Sequence, residues 1–229
     1  MSDQLEPVQA NLHHELIAPR ARADAYPTLV LLHGRGDSAA GILPLAYEFE
    51  RDDLLVISVQ APLELGGVMA GGYEWYRFEQ PPSVNEATLR ASLETLAEFL
   101  DTVKASYPVD PERVVLLGFS QGAVISLGAQ ALGPESVAGV VALSGYFPIE
   151  VEPGAGNLVG RPAFVAHGIH DDIIPVEAGR RTRDLLERHG VDLTYREYPM
   201  AHSVSAEEMA DAQSWLEWLL DKEGPQSRP

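Results

Sequence analysis

The stretch "LLGFSQGAVIS" (residues 116–126) places one hydroxyl group, that of Ser120, between Gly118 and Gly122. It lies where a run of Val and Leu ends and a helix-like pattern rich in small residues begins. A serine on such a sharp strand-to-helix turn needs small residues two positions before and after it, because larger side chains collide with the neighbouring strand and helix. The helix N-terminus helps to stabilise negative charge at the serine. We therefore interpret Ser120 as a nucleophile, although Gly-x-Ser-x-Gly alone is a weak pattern that depends on its context.

The chain around this turn alternates strand and helix patterns. Continuous apolar runs predict strands of a parallel sheet that helices cover on both faces. These runs are "PTLVLLHG" (27–34), "DLLVISV" (53–59), "RVVLLGF" (113–119), "VAGVVALSG" (137–145) and "RPAFVAHG" (161–168). Helices are expected at 83–107, 120–132, 175–190 and 205–220, an edge strand at 192–198, and a further strand within 8–18.

The sequence pattern also predicts how many domains the chain forms. Capping boxes, which mark helix starts, pair Ser83 with Glu86 and Ser205 with Glu208. No repeat, low-complexity tract or linker divides the sequence, so we expect one domain over 1–229, with an ordered core of about 9–221 and loosely held ends.

Residues that suit a nucleophilic serine follow later strands, at the sheet edge where ligands bind. For a serine on this kind of turn the chain order is serine, acid, histidine. The loops "HGIHDDIIP" (167–175) and "PMAHSVS" (199–205) follow predicted strands, whereas His189 falls at a helix end. We expect His202 to take the proton of Ser120 and return it to the leaving group, while an acid holds the imidazole.

A metal site is the alternative interpretation of the loop 167–175. His and Asp are good metal ligands, and the loop crowds four of them together: His167, His170, Asp171 and Asp172. Adjacent residues at a strand end point in different directions, however, and no second cluster complements them. We expect no metal, and a structural role for His167 at the strand end.

The stretch "LHGRGD" (32–37) follows the first long strand and is the candidate anion-binding loop. Glycines on both sides of Arg35 free its backbone to present its N–H, and the N–H of Gln121 follows the nucleophile directly. Together they would bind a developing oxyanion. We expect the Arg35 guanidinium to be solvated and His33 to be a turn residue instead of a base.

The composition excludes several classes of function. The formal net charge is −18, which argues against binding to nucleic acids or anionic membranes, and the absence of cysteine excludes disulfides and thiol chemistry. No signal peptide or membrane-length apolar run is visible, so we expect a cytoplasmic protein without stable membrane insertion. Two of the sixteen basic residues are Lys. Salt adaptation and a GC-rich genome explain this equally well.

The motifs "LHGRGDSAAG", "GFSQGA", "HGIHDDIIP" and "AHSVS" together resemble the phospholipase/carboxylesterase family of α/β-hydrolases, from about residue 27 to residue 220. The resemblance implies an α/β-hydrolase fold without a large cap domain. It implies Ser120 as nucleophile, Asp171 as acid, His202 as base, and the Arg35 and Gln121 amides as oxyanion hole. The segment "GGYEWYRF" (71–78) resembles the family's Trp-containing loop beside the acyl site. We therefore expect substrate contacts from Trp75, Tyr73 and His33.

The expected function is that of a serine carboxylesterase that acts on a small-molecule ester, a thioester or a lysophospholipid, with no cofactor and no nucleic-acid partner. A peptidase or an acyltransferase would use the same triad, and a binding protein could carry this fold without chemistry. Acyl length, head group and the existence of a homodimer are left open by the sequence.

Overall fold

Strands and helices alternate along the chain much as the apolar runs predict. This computed structural model describes residues 5–80, 83–133, 137–151 and 157–221. The strands are β1 (His14–Ile17), β2 (Tyr26–Leu32), β3 (Leu55–Val59), β4 (Leu63–Glu64), β5 (Tyr73–Glu74), β6 (Phe78–Gln80), β7 (Ser83–Val84), β8 (Val109–Phe119), β9 (Gly139–Leu143), β10 (Pro162–Gly168) and β11 (Asp192–Tyr198). The helices are α1 (Ala39–Ile42), α2 (Glu86–Ser106), α3 (Gln121–Leu132), α4 (Val176–Arg188) and α5 (Ala206–Leu220), with 3₁₀ turns at Leu43–Glu48 and Gly67–Met69.

Seven strands form one sheet in the order β1-β3-β2-β8-β9-β10-β11. Neighbouring strands are parallel except for β1, which pairs antiparallel with β3. The mostly parallel sheet predicted from the sequence is confirmed, and residues 192–198 do form an edge strand. In this order β8, which leads to Ser120, lies between β2 and β9, so that the loops after all three strands meet at one edge.

Helices cover both faces of the sheet, which explains the continuous Val and Leu runs. On one face Val30 and Leu32 of β2 pack in a cluster with apolar residues of α2, α3 and α4. On the other face Leu29 and Leu31 pack in a cluster with residues of α1 and α5. All four side chains are 0% exposed, so β2 is buried on both sides. Burial of this kind fixes the strand ends, and hence the site, against a dense core.

Two capping boxes were predicted, and they have different outcomes. The Ser83 capping box is wrong: Ser83 lies in β7, and α2 is capped by Asn85, whose Oδ1 accepts from the N–H of Thr88 at 3.0 Å. The Ser205 half of the second capping box is confirmed by a 3.1 Å bond from the N–H of Glu208 to Ser205 Oγ, whereas neither Glu208 carboxylate oxygen makes a hydrogen bond with the described residues. The expected loose ends at 1–8 and 222–229 lie largely outside the described residues.

The segment 60–80 folds back over the carboxyl edge of the sheet. Its strands β4 and β5 pair antiparallel, and Tyr73 forms a β-bridge with Asp37, just beyond the predicted anion-binding loop. The segment therefore contacts the loop that follows β2. No helix within the described parts of the chain is both long enough and apolar enough to cross a bilayer.

Candidate active site

Ser120 occupies a strained turn between β8 and α3. Its φ is +55° and its ψ −117°, and its N–H donates to the carbonyl of Leu143 at 2.9 Å. A Cβ on Gly118 would lie 2.2 Å from the Gly122 carbonyl carbon, and one on Gly122 would lie 1.9 Å from the Leu32 oxygen. Both glycines of the motif are therefore required by close backbone approach. Strain of this kind at a non-glycine residue persists where function uses it.

His202 connects the serine to an acid. Its Nε2 lies 3.0 Å from Ser120 Oγ, and its Nδ1 lies 2.7 Å from Asp171 Oδ2. The other carboxylate oxygen of Asp171 accepts from the backbone N–H groups of Ile173 at 2.9 Å and Ile174 at 2.8 Å. The acid is thus held by its own loop, and the geometry assigns the Nδ1 proton of the imidazole to the bond with Asp171. Nε2 then remains to accept the serine proton.

The other His and Asp side chains of the loop 167–175 do not hydrogen-bond to Ser120 or His202. Asp172 and His170 are exposed, whereas the His167 side chain is fully buried. His167 Nε2 donates to the carbonyl of Ile174 at 2.7 Å and lies 3.5 Å from Asp171 Oδ2, so it braces the loop that holds the acid. Within the described residues, no group of three or more His, Cys, Asp or Glu side chains could hold a metal ion.

Two backbone N–H groups lie on residues close to Ser120: Gln121 follows it directly, and Arg35 follows Gly34, on which a Cβ would lie 3.3 Å from Ser120 Cβ. Gln121 is the first residue of α3, where an N–H has no partner within the helix. Neither this N–H nor that of Arg35 has an acceptor among the backbone hydrogen bonds of the described residues. Gly36, at φ +89°, turns the loop so that its own N–H donates to the Tyr73 carbonyl at 2.8 Å. The arrangement suits the binding of a developing negative charge.

The Arg35 side chain is not simply solvated, which corrects the expectation from the sequence. Its Nε donates to Glu74 Oε2 at 2.8 Å, and the Glu74 side chain is 8% exposed. A buried carboxylate requires such a partner. The pair therefore ties the anion-binding loop to the segment 60–80.

Trp75 and His33 lie beneath the site instead of on its wall. Both side chains are 0% exposed. The indole N–H of Trp75 donates to the carbonyl of His33 at 2.9 Å, and His33 Nε2 accepts from the N–H of Ala61 at 3.0 Å. Burial lowers the pKa of His33, so its imidazole is neutral and Nδ1 donates to the Gly34 carbonyl at 2.7 Å. Of the three residues expected to contact substrate, Tyr73 alone is partly exposed.

The side chain of Gln121 has a structural task that the motif alone did not reveal. Its Oε1 accepts from the N–H of Trp75 and its Nε2 donates to the carbonyl of Tyr76, each at 2.9 Å. A single amide thus fastens the segment 60–80 to the turn that carries the nucleophile. A second missed contact is Phe119, whose ring centroid lies 5.0 Å from that of His202. Its place directly before Ser120 was the available signal.

A doubly covered, mostly parallel sheet with a serine on the turn after a central strand, and an acid and a histidine on the following loops, defines an α/β-hydrolase. A model of the family described as Phospholipase/Carboxylesterase matches residues 12–220. The chain therefore belongs to the phospholipase/carboxylesterase family and is an ester hydrolase.

Individual relatives agree with this assignment. The chain is 32% identical to "Acyl-protein thioesterase 1" of Debaryomyces hansenii, over 90% of this chain and 97% of that protein. It is 27% identical to "Probable carboxylesterase SOBER1-like" of Arabidopsis thaliana, over 92% of this chain and 86% of that protein. The crystal structure of a Bacillus cereus carboxylesterase superposes with a TM-score of 0.80 at 24% identity, covering 91% of this chain and 94% of that one. At that identity it shows the shared fold.

Proposed function

We propose that this protein is a serine carboxylesterase that hydrolyses carboxylic esters through an acyl-enzyme formed on Ser120. The observation that carries the proposal is the hydrogen-bonded chain from Ser120 Oγ through His202 to Asp171, with bonds of 3.0 and 2.7 Å, near two backbone N–H groups that have no acceptor among the described residues. Each part of the chemistry has a group in place for it.

In acylation, His202 Nε2 accepts the Ser120 proton as Oγ bonds to the ester carbonyl carbon. The carbonyl oxygen becomes an oxyanion, which the N–H groups of Arg35 and Gln121 stabilise. The imidazolium is stabilised by the Asp171 carboxylate. His202 then gives its proton to the alcohol oxygen, the carbon–oxygen bond breaks, and the alcohol leaves.

Deacylation repeats these steps with water. His202 removes a proton from water while the water oxygen attacks the acyl carbon, and the same two N–H groups hold the second oxyanion. The proton returns to Ser120 Oγ as the acyl group leaves as a carboxylic acid. Since Asp171 is anchored by two backbone N–H groups, the imidazole keeps one orientation through both halves.

A thioester is the second candidate substrate, because the relative at 32% identity is named a thioesterase. The same triad serves both, since a thiolate is a better leaving group than an alkoxide. Turnover of matched oxygen esters, thioesters and a lysophospholipid, with acyl chains of increasing length, separates these candidates. The same panel gives the acyl preference.

A fluorophosphonate probe tests the mechanism directly. We expect the probe to label the protein on Ser120. We expect Ser120→Ala to abolish labelling and to lower kcat by roughly 10⁶-fold. Ser203→Ala is the matched control, because Ser203 is an exposed serine next to His202 and should change neither. Absence of labelling in the parent protein would favour a binding protein that lacks chemistry, whereas faster turnover of amides than of esters would favour a peptidase.

A further inference from the structure

Two tyrosines pack in the apolar cluster on the face of the sheet that α2 and α3 cover. Tyr76 belongs to the segment 60–80, and Tyr146 follows β9. Their hydroxyl oxygens lie 3.0 Å apart. The carbonyl of Tyr76 accepts from Gln121 Nε2 at 2.9 Å, which places Tyr76 against the turn that carries Ser120. Gly145 packs there too: a Cβ on it would lie 3.0 Å from the Ser120 carbonyl oxygen.

The two tyrosines have two O–H donors, but the hydrogen bond between them uses only one. Burial raises the pKa of both phenols, and the nearby Glu150 carboxylate raises them further, so both hydroxyls keep their protons. One hydroxyl donates to the other, and the second proton has no acceptor among the described residues. Tyr76 is 1% exposed and Tyr146 is only partly buried, so Tyr146 is the hydroxyl that a bound molecule can reach.

Glu150 adds an unused acceptor on the same loop. Its Oε2 is buried and makes no hydrogen bond with the described residues. The loop is fixed in place: Arg90 Nη2 donates to the Glu150 carbonyl at 2.6 Å, and the N–H of Phe147 donates to Thr182 Oγ1 at 2.8 Å. A buried acceptor without a donor costs free energy, which a bound donor would recover.

One ligand group satisfies both needs. A ligand hydroxyl can accept a hydrogen bond from the second tyrosine O–H and donate its own O–H to the Glu150 carboxylate. An ammonium group could only donate, and a carboxylate or phosphate could only accept and would be repelled by Glu150. We propose that Tyr76, Tyr146 and Glu150 form a polar subsite beside Ser120 that selects esters carrying a free hydroxyl group near the ester bond. This rests on the proposed esterase function and narrows its substrate class.

Matched substrate pairs test the subsite. 2-Hydroxyethyl butyrate against propyl butyrate varies one hydroxyl on the alcohol side, and ethyl hydroxybutyrate against ethyl butyrate varies one on the acyl side. In one pair we expect kcat/KM to be about threefold to tenfold higher for the hydroxylated ester, the size of one or two net hydrogen bonds. The pair that responds identifies which side of the ester the subsite takes.

Two variants should bring that ratio close to one. Tyr146→Phe removes the donor, and Glu150→Met keeps the side-chain length while removing both carboxylate oxygens. Tyr195→Phe is the matched control, because the Tyr195 hydroxyl also bonds a side chain, Glu197, but lies on the edge strand β11. It should leave the ratio as in the parent protein. Melting temperatures of all three verify folding, and either of the first two variants suffices if the other is unfolded.

The subsite is overturned if neither substrate pair shows a preference, or if the preference survives in both Tyr146→Phe and Glu150→Met. Failure of the esterase proposal is a separate result: the parent protein would neither turn over the plain esters nor take the fluorophosphonate label. The subsite is then tested by calorimetric affinities for the members of both substrate pairs. Equal affinities within both pairs overturn it, and a preference for the hydroxylated ester that is lost in Tyr146→Phe supports it.

Discussion

His202 Nδ1 lies 2.7 Å from Asp171 Oδ2, and the two side chains differ in exposure: the carboxylate is 0% exposed and the imidazole 15%. The proposed acid is therefore shielded from water and fixed, while the proposed base is partly exposed, as the proposed deacylation by water requires. A short charge-assisted bond in such surroundings holds the imidazole in a single tautomer.

The first prediction concerns the neighbouring carboxylates Asp171 and Asp172. Asp171→Asn keeps the shape of the side chain but can present an amide N–H₂ to His202 Nδ1, which favours the wrong tautomer. We expect kcat to fall by up to about 10⁴-fold. Asp172→Asn is the control: Asp172 is exposed and lies outside the row, so the loss should be less than about tenfold. The reverse order of losses in steady-state kinetics would assign the acid to Asp172.

A second prediction separates the backbone of the anion-binding loop from its side chain. Arg35→Ala keeps the backbone N–H, so kcat should fall by less than about tenfold despite the lost bond to Glu74. Gly36→Ala puts a side chain where φ is +89°, a backbone conformation that alanine rarely adopts, whereas the flexible end of Met69, 2.5 Å from the new Cβ, can move aside. The loop must then shift, and we expect a loss of kcat on the order of 10²-fold. A larger loss in Arg35→Ala than in Gly36→Ala would argue against a backbone oxyanion hole.

Much of the fold and of the row Ser120–His202–Asp171 could be predicted because local sequence patterns express backbone constraints directly. Small residues at Gly118 and Gly122 report a close approach of main chains, and apolar runs report burial on both faces. Chain order and the family register then selected the loops that supply the other two groups, and the structure brings these groups within hydrogen-bond distance.

The path of the segment 60–80 could not be predicted, because contacts distant in sequence determine it. The resemblance of residues 71–78 to the family's Trp-containing loop predicted that Trp75 contacts substrate. In the structure the side chain of Gln121 bonds the backbone of Trp75 and Tyr76. Arg35 bonds Glu74, and the hydroxyl of Ser92 donates to the carbonyl of Trp75. These bonds hold the segment so that the indole packs in the core. No local periodicity marks such bonds, and a single Trp carries no signal of which side it faces.

A third prediction follows from the burial of Trp75. Trp75→Ala removes a fully buried indole and leaves the carbonyl of His33 without its donor. We expect the free energy of unfolding to fall by about 3–5 kcal/mol. We also expect activity on short and long acyl esters to fall by the same factor. Val68→Ala, on the same segment but fully exposed, should change stability by no more than about 0.5 kcal/mol. Selective loss on long-chain esters would place Trp75 on the acyl wall after all.

The fourth prediction concerns Glu208, in the first turn of α5, just after the loop that carries His202. It is 0% exposed, and neither carboxylate oxygen makes a hydrogen bond with the described residues. Burial raises its pKa to about 8, an effect that the nearby N–H of Ser205 only partly offsets. The folded protein therefore holds this proton between about pH 4.5 and about pH 8, whereas the unfolded chain releases it.

Because the folded state binds the extra proton, the free energy of unfolding should decrease as pH rises through that window and level off above about pH 8. At about 1.4 kcal/mol per pKa unit, the decrease from this one group is at most about 5 kcal/mol. Glu208→Gln removes the titrating group, so its stability relative to the parent protein should increase from about pH 5 to about pH 9 in urea unfolding. Glu207→Gln, at the exposed neighbouring position, should follow the parent curve. Parallel curves for Glu208→Gln and the parent would mean that Glu208 is ionised in the folded protein.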